Sequence, residues 1–478
     1  MILDSPALWL YLVLLAPASG AILSQVPYPR VSERVARVTS LLSLAAGVAL
    51  LVLPGRGTFG PYFGVDRLSD LFLFLVTAVY VSSTWFSRGY LAHVHRPFLT
   101  PERYYGLLGA FALAMLFTLS VSDLGLMWIG VEGTTVASAL LIVLERKPTS
   151  VEAAWRYTII ASAGLTLSLF ALLLLYRETG TLDAFTLAAD PPPLTGSLVL
   201  VVGLALVGYG TKLGLFPMHT WLPDAHSEAP SPVSALFSGV LLPTALYAFL
   251  RVYDIVPQPV PPALQDLVIA FGLVTALVAA FLLQQQRSFK RMLAYSSMEN
   301  MGVATVGVGL GGLAFYGALL LLVAHAFAKS SAFYSAGTVL RRVGTTQMNK
   351  VRDLRNRLPG TSGAWVLSGL AVTGTPPFGT FFGELFILTG AVAEGQFTVV
   401  GLLLLALVVA FLGVNAQLGR MIFLEDPQGP SQRLPEGLGE TFLPWGNVLV
   451  ALLLGLVSLP YLSDAIRMAA GMVPGGIP

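Results

Sequence analysis

Five ionisable side chains lie within long apolar stretches of this 478-residue sequence. They are Glu132, Lys212, Glu299, Lys329 and Glu384. A charge near the centre of a bilayer costs about 2.5 kcal/mol or more, so such residues persist where they face water or an opposite charge. Burial disfavours the charged form of a lysine or a carboxylic acid, and a neighbouring opposite charge favours it. A row of such groups can therefore load and release protons according to the state of its neighbours, without redox chemistry.

His325 adds a titratable group to this set, because it lies four residues before Lys329 and shares a helix face with it. For each residue taken alone, a structural ion pair between helices is the alternative explanation. The residues are distributed over several apolar stretches, which favours a proton-transfer path. Glu299 carries the weakest argument, since it lies early in its stretch, near the expected inner membrane interface.

A polar, proline-rich segment from 216 to 234 follows Lys212. It contains four further candidates for proton uptake from the inner side: His219, Asp224, His226 and Glu228. A solvated loop that caps the helices is one alternative, and a metal site built from the two histidines and two carboxylates is another. Because the intervening prolines fix no ligand geometry, we predict no metal site.

The composition excludes a soluble protein. Charged residues make up 11% of the chain and hydrophobic residues 55%, and the mean hydropathy is +0.77. An ordinary soluble domain has about 25% charged residues. Nucleic-acid binding is excluded as well, because it needs a basic face.

With no cysteine, the chain has no disulfide, thiolate-bound iron–sulfur cluster, cysteine nucleophile or c-type haem. We also expect no haem or zinc, because the five histidines are widely separated: His93, His95, His219, His226 and His325.

Apolar stretches predict an all-α, polytopic membrane protein with about 14 transmembrane helices. A bilayer core is crossed by about 20 apolar residues in a helix. The expected spans are 6–24, 38–53, 68–87, 105–121, 124–144, 156–176, 197–217, 232–251, 264–283, 292–309, 313–334, 361–392, 397–416 and 444–463. We expect the first to be a retained helix, because no basic segment precedes it and no clear cleavage site follows.

The loop charges predict the orientation. With both termini outside, the inner loops carry 20 of the 27 lysines and arginines and the outer side carries five. Lys212 and Lys329 lie within the spans and complete the count. Basic residues concentrate on the cytoplasmic side of membrane proteins, so an even number of spans with both ends outside fits best.

The spacing of similar features predicts an internal duplication. Glu132 and Glu299 are 167 residues apart, and Gly210 and Gly374 are 164 apart. The seventh and twelfth spans are both interrupted, at Gly210, Gly214, Pro217, Gly374, Pro376 and Pro377. Repeats of five spans have opposite orientations, and inverted repeats with matched broken helices are typical of transporters. Chance alignment of the many glycines and prolines is the alternative. The expected units are an N-terminal three-helix segment (1–104), two repeats (105–252 and 253–424) and a C-terminal helix (425–478).

The segment 208–236, which includes Lys212, resembles the signature of the proton-translocating antiporter-like family. That family includes the antiporter-like subunits of respiratory complex I, Mrp-type cation/proton antiporter subunits and membrane subunits of hydrogenase complexes. Segments 290–302 and 325–330 resemble further motifs of the family. Segments 153–157 and 297–301 are most similar to the F-type branch of the hydrogenase-4 membrane subunits. The resemblance covers roughly residues 60–425.

The resemblance implies roles at the matching positions. Glu132 would pair with Lys212, His325 and Lys329 would lie on a central hydrophilic axis, and Glu384 would be the ionisable residue of the broken twelfth helix. The implied protein is a proton-translocating subunit of a redox-driven complex in a bacterial or archaeal cytoplasmic membrane. It would hold no cofactor and would not be catalytic alone. Its partners would be other membrane subunits and a peripheral redox arm with the electron carriers.

One departure from the family concerns the eighth span. Many members carry a lysine there, whereas this chain has Pro243 in that stretch, and proline carries no proton. The link from Lys212 to Lys329 would then run through water or His219. The alternatives are an Mrp-type antiporter that also moves Na⁺, a scaffold or inorganic-carbon uptake subunit, and a channel that does not pump.

Overall fold

The computed structural model describes residues 6–53, 57–92, 94, 97–145, 147–426, 432–457 and 460–471. Two of the histidines considered above, His93 and His95, lie outside these ranges, as do Arg56, Arg96 and Arg146 of the loop cations. Within the described ranges the chain is almost entirely helical, so the all-α prediction is confirmed. A short antiparallel hairpin is also present, formed by β1 (Gly57–Phe59) and β2 (Phe63–Val65).

Twenty α-helices follow one another in the described part of the chain. They are α1 (Pro6–Leu23), α2 (Pro29–Val52), α3 (Arg67–Leu91), α4 (Pro101–Ser120), α5 (Leu124–Ile142), α6 (Pro148–Thr179), α7 (Ala184–Ala189), α8 (Gly196–Leu213), α9 (Trp221–Glu228), α10 (Ser231–Leu236), α11 (Leu242–Tyr253), α12 (Pro262–Gln284), α13 (Phe289–Leu310), α14 (Gly312–Val343), α15 (Leu354–Arg357), α16 (Pro359–Val372), α17 (Gly379–Ala393), α18 (Phe397–Phe423), α19 (Leu438–Leu456) and α20 (Pro460–Ala470). A π-helical turn at Phe237–Leu241 joins α10 to α11, and 3₁₀ turns lie at Met218–Thr220 and Met348–Lys350.

The helices account for the predicted spans. Among the described residues, twelve helical segments are long and apolar enough to cross a membrane. A thirteenth span is α13, which is less apolar because it carries Lys290, Arg291 and Glu299. One further span, which brings the total among the described residues to fourteen, consists of α16 and α17, which are 14 and 15 residues long and too short alone. In order along the chain, α8 and α9 form the seventh span, α10 and α11 the eighth, and α16 and α17 the twelfth.

Both predicted helix breaks are present. After α8 the chain turns at Gly214, where φ is +85°, and Leu215 N donates to Gly210 O at 2.8 Å. Gly210 itself is still helical, and Pro217 precedes the 3₁₀ turn that leads into α9. After α16 the chain turns at Gly374, where φ is +60°. Glycine tolerates this left-handed conformation because it has no Cβ.

The second break continues through Pro376 and Pro377, which lie between Gly374 and the start of α17. Proline has no backbone N–H and cannot continue a helical hydrogen-bond pattern. The two halves of the molecule also pack alike: α5 contacts α6 and α6 contacts α8, as α13 contacts α14 and α14 contacts α16. The helices α13, α14 and α16 each lie five spans after α5, α6 and α8, respectively. Because five is an odd number, the second set crosses the membrane in the opposite direction, and the predicted inverted repeats are confirmed.

The eighth span occupies the centre of the bundle. Every residue from Ser231 to Tyr253 is buried, and the span contacts α3, α5, α8 and α14. The eleventh span, α14, is buried along most of its length. Polar groups on these two helices therefore face protein, where a polar group without a hydrogen-bond partner is costly.

The end of the chain differs from the prediction. The fourteenth span was expected at 444–463, but α19 ends at Leu456 and a separate helix, α20, begins at Pro460. The apolar residues of α20 recur at helical spacing, and its buried face consists of Leu462, Ala465, Ile466, Ala469 and Ala470. That face packs on α3 and α14. The C-terminal segment therefore contains two helices, because the apolar pattern after Leu456 is amphipathic.

Candidate functional site

Lys212 lies in the last turn of α8, and its side chain is fully buried. Its Nζ donates hydrogen bonds to Thr135 Oγ1 of α5 at 2.7 Å and to Tyr157 OH of α6 at 2.5 Å. It also lies 4.5 Å from the centre of the Tyr157 ring. A cation is favoured at a helix C-terminus by the carbonyl dipoles there. Three helices thus converge on Lys212, and two hydroxyl groups take the place of water around its ammonium.

Glu132 lies on α5 beside this cluster. Ser162 Oγ of α6 donates to Glu132 Oε1 at 2.6 Å, and Glu132 Oε2 is buried with no hydrogen-bond partner among the described residues. Within the described chain, no carboxylate oxygen lies within 4.0 Å of Lys212 Nζ. The charge of Glu132 nevertheless acts on Lys212 at longer range. The close pair that the resemblance implied is therefore open here, and hydroxyl groups hold both partners.

Lys329 is the second fully buried lysine of the site and lies in the middle of α14. Its Nζ donates to Leu293 O at 2.8 Å and also to Ser296 Oγ, both on α13. Glu299 is 2% exposed and acts on Lys329 through its charge. Although Glu299 was expected near the inner interface, it belongs to this buried cluster. Its Oε2 accepts a hydrogen bond from Asn300 Nδ2 at 2.7 Å.

The remaining members of the second cluster are His325 and Glu384. His325 is fully buried on α14, and neither ring nitrogen has the geometry of a hydrogen bond within the described residues. Glu384 is 6% exposed on α17. Its carboxylate packs against the break, since a Cβ on Gly374 would overlap Glu384 Oε2. Because the charge of Glu299 also acts on Glu384, Glu299 connects Lys329 electrostatically to the twelfth span.

The two candidate histidines after the first break have different environments. His219 is 6% exposed, and its ring stacks on Phe216 with ring centres 5.6 Å apart. His226 on α9 is fully buried and stacks on Phe333 of α14 at 5.0 Å. Neither ring nitrogen of His226 has a hydrogen-bond partner in the described structure. The charges of both Lys290 and Lys329 act on the His226 ring.

The two candidate carboxylates of the same segment lie nearer the surface. Asp224 lies between two arginines, 3.2 Å from Arg156 and 3.0 Å from Arg291. Glu228 accepts a hydrogen bond from Thr149 Oγ1 at 3.0 Å. The four candidates thus form no single cluster. In the described part of the chain, no group of three histidine or carboxylate side chains could hold a metal ion.

A cavity of about 550 Å³ opens beside Glu228. Its charged lining residues are Glu145, Lys147, Glu228, Lys290 and Arg341. Lys290 is 1% exposed, and its Nζ donates to Ser227 O at 3.0 Å and to Ala229 O at 2.5 Å. Ser227 and Ala229 lie one and three residues after His226, so Lys290 holds the chain that follows that histidine against α13.

An ion-pair network also lines this cavity. Glu145 lies 2.6 Å from Arg341 and 2.6 Å from Lys147. Burial alone would raise the pKa of the Glu145 carboxyl, but the hydrogen bonds and charges of Lys147 and Arg341 hold it below its usual value. Glu145 is therefore ionised at neutral pH and keeps the two cations in place.

Sequence reasoning did not find the hydroxyl groups that hold the ionisable side chains. They are Thr135, Tyr157, Ser162 and Ser296. Serine and threonine are frequent in membrane helices, and their spacing gave no signal. Tyr157 lay in a recognised segment, but only as part of the resemblance. Lys290 was counted with the inner loops, since nothing in the sequence showed that α13 begins at Phe289 and buries it.

Comparison with known proteins gives a consistent picture. Residues 121–410 match the family described as NADH:quinone oxidoreductase/Mrp antiporter, TM. The hydrogenase-4 component F homolog of Methylacidiphilum infernorum (isolate V4) is 35% identical over 423 residues, which cover 83% of this chain and 88% of that protein.

Two solved structures share the fold. A chain of the membrane-bound sulfane sulfur reductase, an archaeal respiratory membrane complex, superposes with a TM-score of 0.88 at 23% identity, covering 98% of both chains. A chain of respiratory complex I from Thermus thermophilus has a TM-score of 0.84 at 24% identity, covering 98% of this chain and 100% of that one. The family match spans more than half of the sequence, and the hydrogenase-4 homolog matches over most of its length. The chain therefore belongs to the NADH:quinone oxidoreductase/Mrp antiporter family of membrane subunits.

Proposed function

We propose that this chain is a proton-translocating membrane subunit of a redox-driven complex, and that buried Glu, Lys and His side chains carry the protons. The observation that supports this most strongly is the environment of Lys212 and Lys329. Both lysines are fully buried, and among the described residues neither has a carboxylate oxygen within 4.0 Å. A structural ion pair would hold its acid in contact, because a buried charge without a close partner is costly.

The open Glu132–Lys212 pair is the proposed switch of the first half. If the partners approach to about 4 Å and separate to about 8 Å, their Coulomb energy changes by roughly 2 kcal/mol at an effective dielectric near 20. That change biases a proton transfer without completing a cycle alone. Ser162 holds Glu132 in the separated state. A shift of α5 relative to α8, driven by a partner subunit, would close the pair.

The cavity beside Glu228 is the proposed route for protons from the inner side. Its wall carries Lys290, whose carbonyl partners adjoin His226. The charges of both Lys290 and Lys329 act on His226. From Lys329 the charge interactions lead through Glu299 to Glu384 at the second break. His325 lies one turn from Lys329 on the same helix face.

The redox chemistry is proposed to lie in partner subunits. The chain has no cysteine, and we propose that it holds no cofactor. The names of its relatives describe components of hydrogenase-4, complex I and an archaeal respiratory complex. We infer other membrane subunits and a peripheral arm with electron carriers. We also propose a bacterial or archaeal cytoplasmic membrane as the location, with both termini outside, an orientation that the loop charges support.

The proposal is tested with the native complex in sealed vesicles without Na⁺. Electron transfer should then acidify one compartment, and a protonophore should abolish the pH gradient. Proton movement that requires Na⁺ on the opposite side would support the Mrp-type antiporter alternative instead. Electron transfer without any proton movement in tight vesicles would contradict both functions and leave a scaffold role.

A further inference from the structure

The π-helical turn at Phe237–Leu241 lies between the two buried lysine clusters. In this turn Leu242 N donates to Phe237 O, five residues earlier. Pro243 follows directly and has no N–H to form the next bond of an α-helix, so the helix opens just before it. Such turns are rare and occur frequently at functional sites.

The turn contacts both clusters. On one side the Phe237 ring lies 5.8 Å from the ring of Tyr157, which accepts the hydrogen bond of Lys212. On the other side Ser238 Oγ lies 2.7 Å from Ser297 Oγ of α13. Gly239 packs closely on α14, since a Cβ there would lie 3.1 Å from Ala326 O. The turn therefore connects the first cluster to the helices that carry the second.

Ser297 shares a carbonyl with Lys329. Ser297 Oγ donates to Leu293 O at 3.0 Å, and Lys329 Nζ donates to the same oxygen at 2.8 Å. A serine hydroxyl has one hydrogen to donate, so Ser297 gives it either to Leu293 O or to Ser238 Oγ. The direction of the Ser238–Ser297 hydrogen bond follows from this choice.

We infer that the Ser238–Ser297 hydroxyl pair couples the protonation state of Lys329 to the π-helical turn, and through it to the Lys212 cluster. The inference rests on the proposed function. When Lys329 is charged, its ammonium binds Leu293 O strongly and the Ser297 hydrogen turns to Ser238. When Lys329 is neutral, Ser297 donates to Leu293 O and Ser238 donates to Ser297. Both serines are positioning residues, and no proton is lost or gained by the pair.

The experiment uses the native complex in sealed vesicles and compares Ser238→Ala, Ser297→Ala and the double variant. Each single change should lower the proton-to-electron ratio about five- to tenfold, the size expected for one lost hydrogen bond, and should shift the pH profile of transport. The double variant should be no worse than the single ones, because the two hydroxyls act as a unit. Ser238→Thr, which keeps a hydroxyl group, should restore transport.

Ser335→Ala is the matched control, because Ser335 is a fully buried serine on α14 whose hydroxyl has no partner among the described residues. Wild-type ratios and pH profiles in both alanine variants would overturn the inference, as would independent, multiplicative losses in the double variant. If one variant fails to assemble, the other single variant carries the test. Lys329→Ala separates the two claims. If it is inactive while the serine variants pump normally, only this inference fails; if it also pumps normally, the proposed function fails.

Discussion

At the scale of residues, the two lysines are solvated by neutral groups. Lys212 has two hydroxyl partners, and Lys329 has one hydroxyl and one carbonyl. Hydroxyl and carbonyl groups stabilise an ammonium less strongly than a carboxylate does, so the lysine can still lose its proton. The acids Glu132 and Glu299 act at longer range, and a small movement can therefore change the balance.

Tyr157→Phe tests the role of the hydroxyl partner of Lys212. The variant removes the acceptor at 2.5 Å and keeps the ring that lies against the ammonium. We expect proton translocation to fall at least about tenfold, because a hydrogen bond to a charged group contributes about 1.5–3 kcal/mol, with normal assembly of the complex. Tyr253→Phe is the control, because Tyr253 is a buried tyrosine at the far end of the same bundle. Equal transport by both variants in sealed vesicles would contradict the assignment.

The ionisable residues of the site could be predicted from the sequence, because a charge within an apolar stretch is rare and costly. Their hydroxyl partners could not, since Thr135 and Ser296 belong to residue types that occur throughout these helices. The open state of the Glu132–Lys212 pair was also not predictable. It depends on a few ångströms between α5 and α8, which sequence spacing does not specify.

At the scale of elements, the second helix break provides the space for Glu384. Gly374→Ala would place a Cβ on top of Glu384 Oε2, at a backbone φ of +60°. Gly395→Ala is a matched control, because Gly395 has a φ of +68° and open space around it. The cost of placing alanine in the left-handed backbone conformation, about 1–2 kcal/mol, is common to both variants. We expect loss of proton transport for Gly374→Ala alone, and similar loss in both would show a backbone effect only.

The N-terminal end of α3 and the C-terminal end of α11 are joined by a buried ion pair. Arg251 donates to both oxygens of Asp66 at 2.6 Å and is 3% exposed. Burial alone would raise the pKa of the Asp66 carboxyl, but the charge and hydrogen bonds of Arg251 hold it below its usual value. The pair ties the central eighth span to the N-terminal helices.

Arg251→Ala should therefore destabilise the protein by about 3 kcal/mol, because Asp66 would keep a buried charge without a partner. A lower unfolding temperature of the detergent-solubilised complex, followed by tryptophan fluorescence, measures the effect. Arg177→Ala, at an exposed position, should leave that temperature unchanged. An unchanged temperature for Arg251→Ala would contradict the structural role of the pair.

Several elements lay beyond sequence reasoning. In the sequence, Pro243 indicated only a departure from the family lysine. The π-helical turn just before it, and the packing of Gly239 and Ser238 between the two clusters, are seen only in the structure. The β1–β2 hairpin has strands of three residues, too short for a periodic pattern. The amphipathic helix α20 was merged with α19, because apolar residues continue across their junction.

At the scale of the whole molecule, the fold was predictable because apolar length and loop charge carry strong signals. The two repeats place Glu132 and Glu299 on corresponding helices, α5 and α13, and place a break in the seventh and twelfth spans. A central span that is buried throughout joins the halves. In the proposed function, protonation events in one half are transmitted to the other through these packed helices.

The central claim is that Lys212 gives up and regains a proton during turnover, and Lys212→Arg tests it most directly. Arginine keeps a positive charge and hydrogen-bond donors but does not deprotonate in proteins. The proton-to-electron ratio of the intact complex should be measured in sealed vesicles, with Lys350→Arg, an exposed lysine, as control. The account predicts that Lys212→Arg and Lys212→Ala lose proton translocation while electron transfer to artificial acceptors persists. A wild-type ratio for Lys212→Arg would contradict it and identify Lys212 as a fixed structural charge.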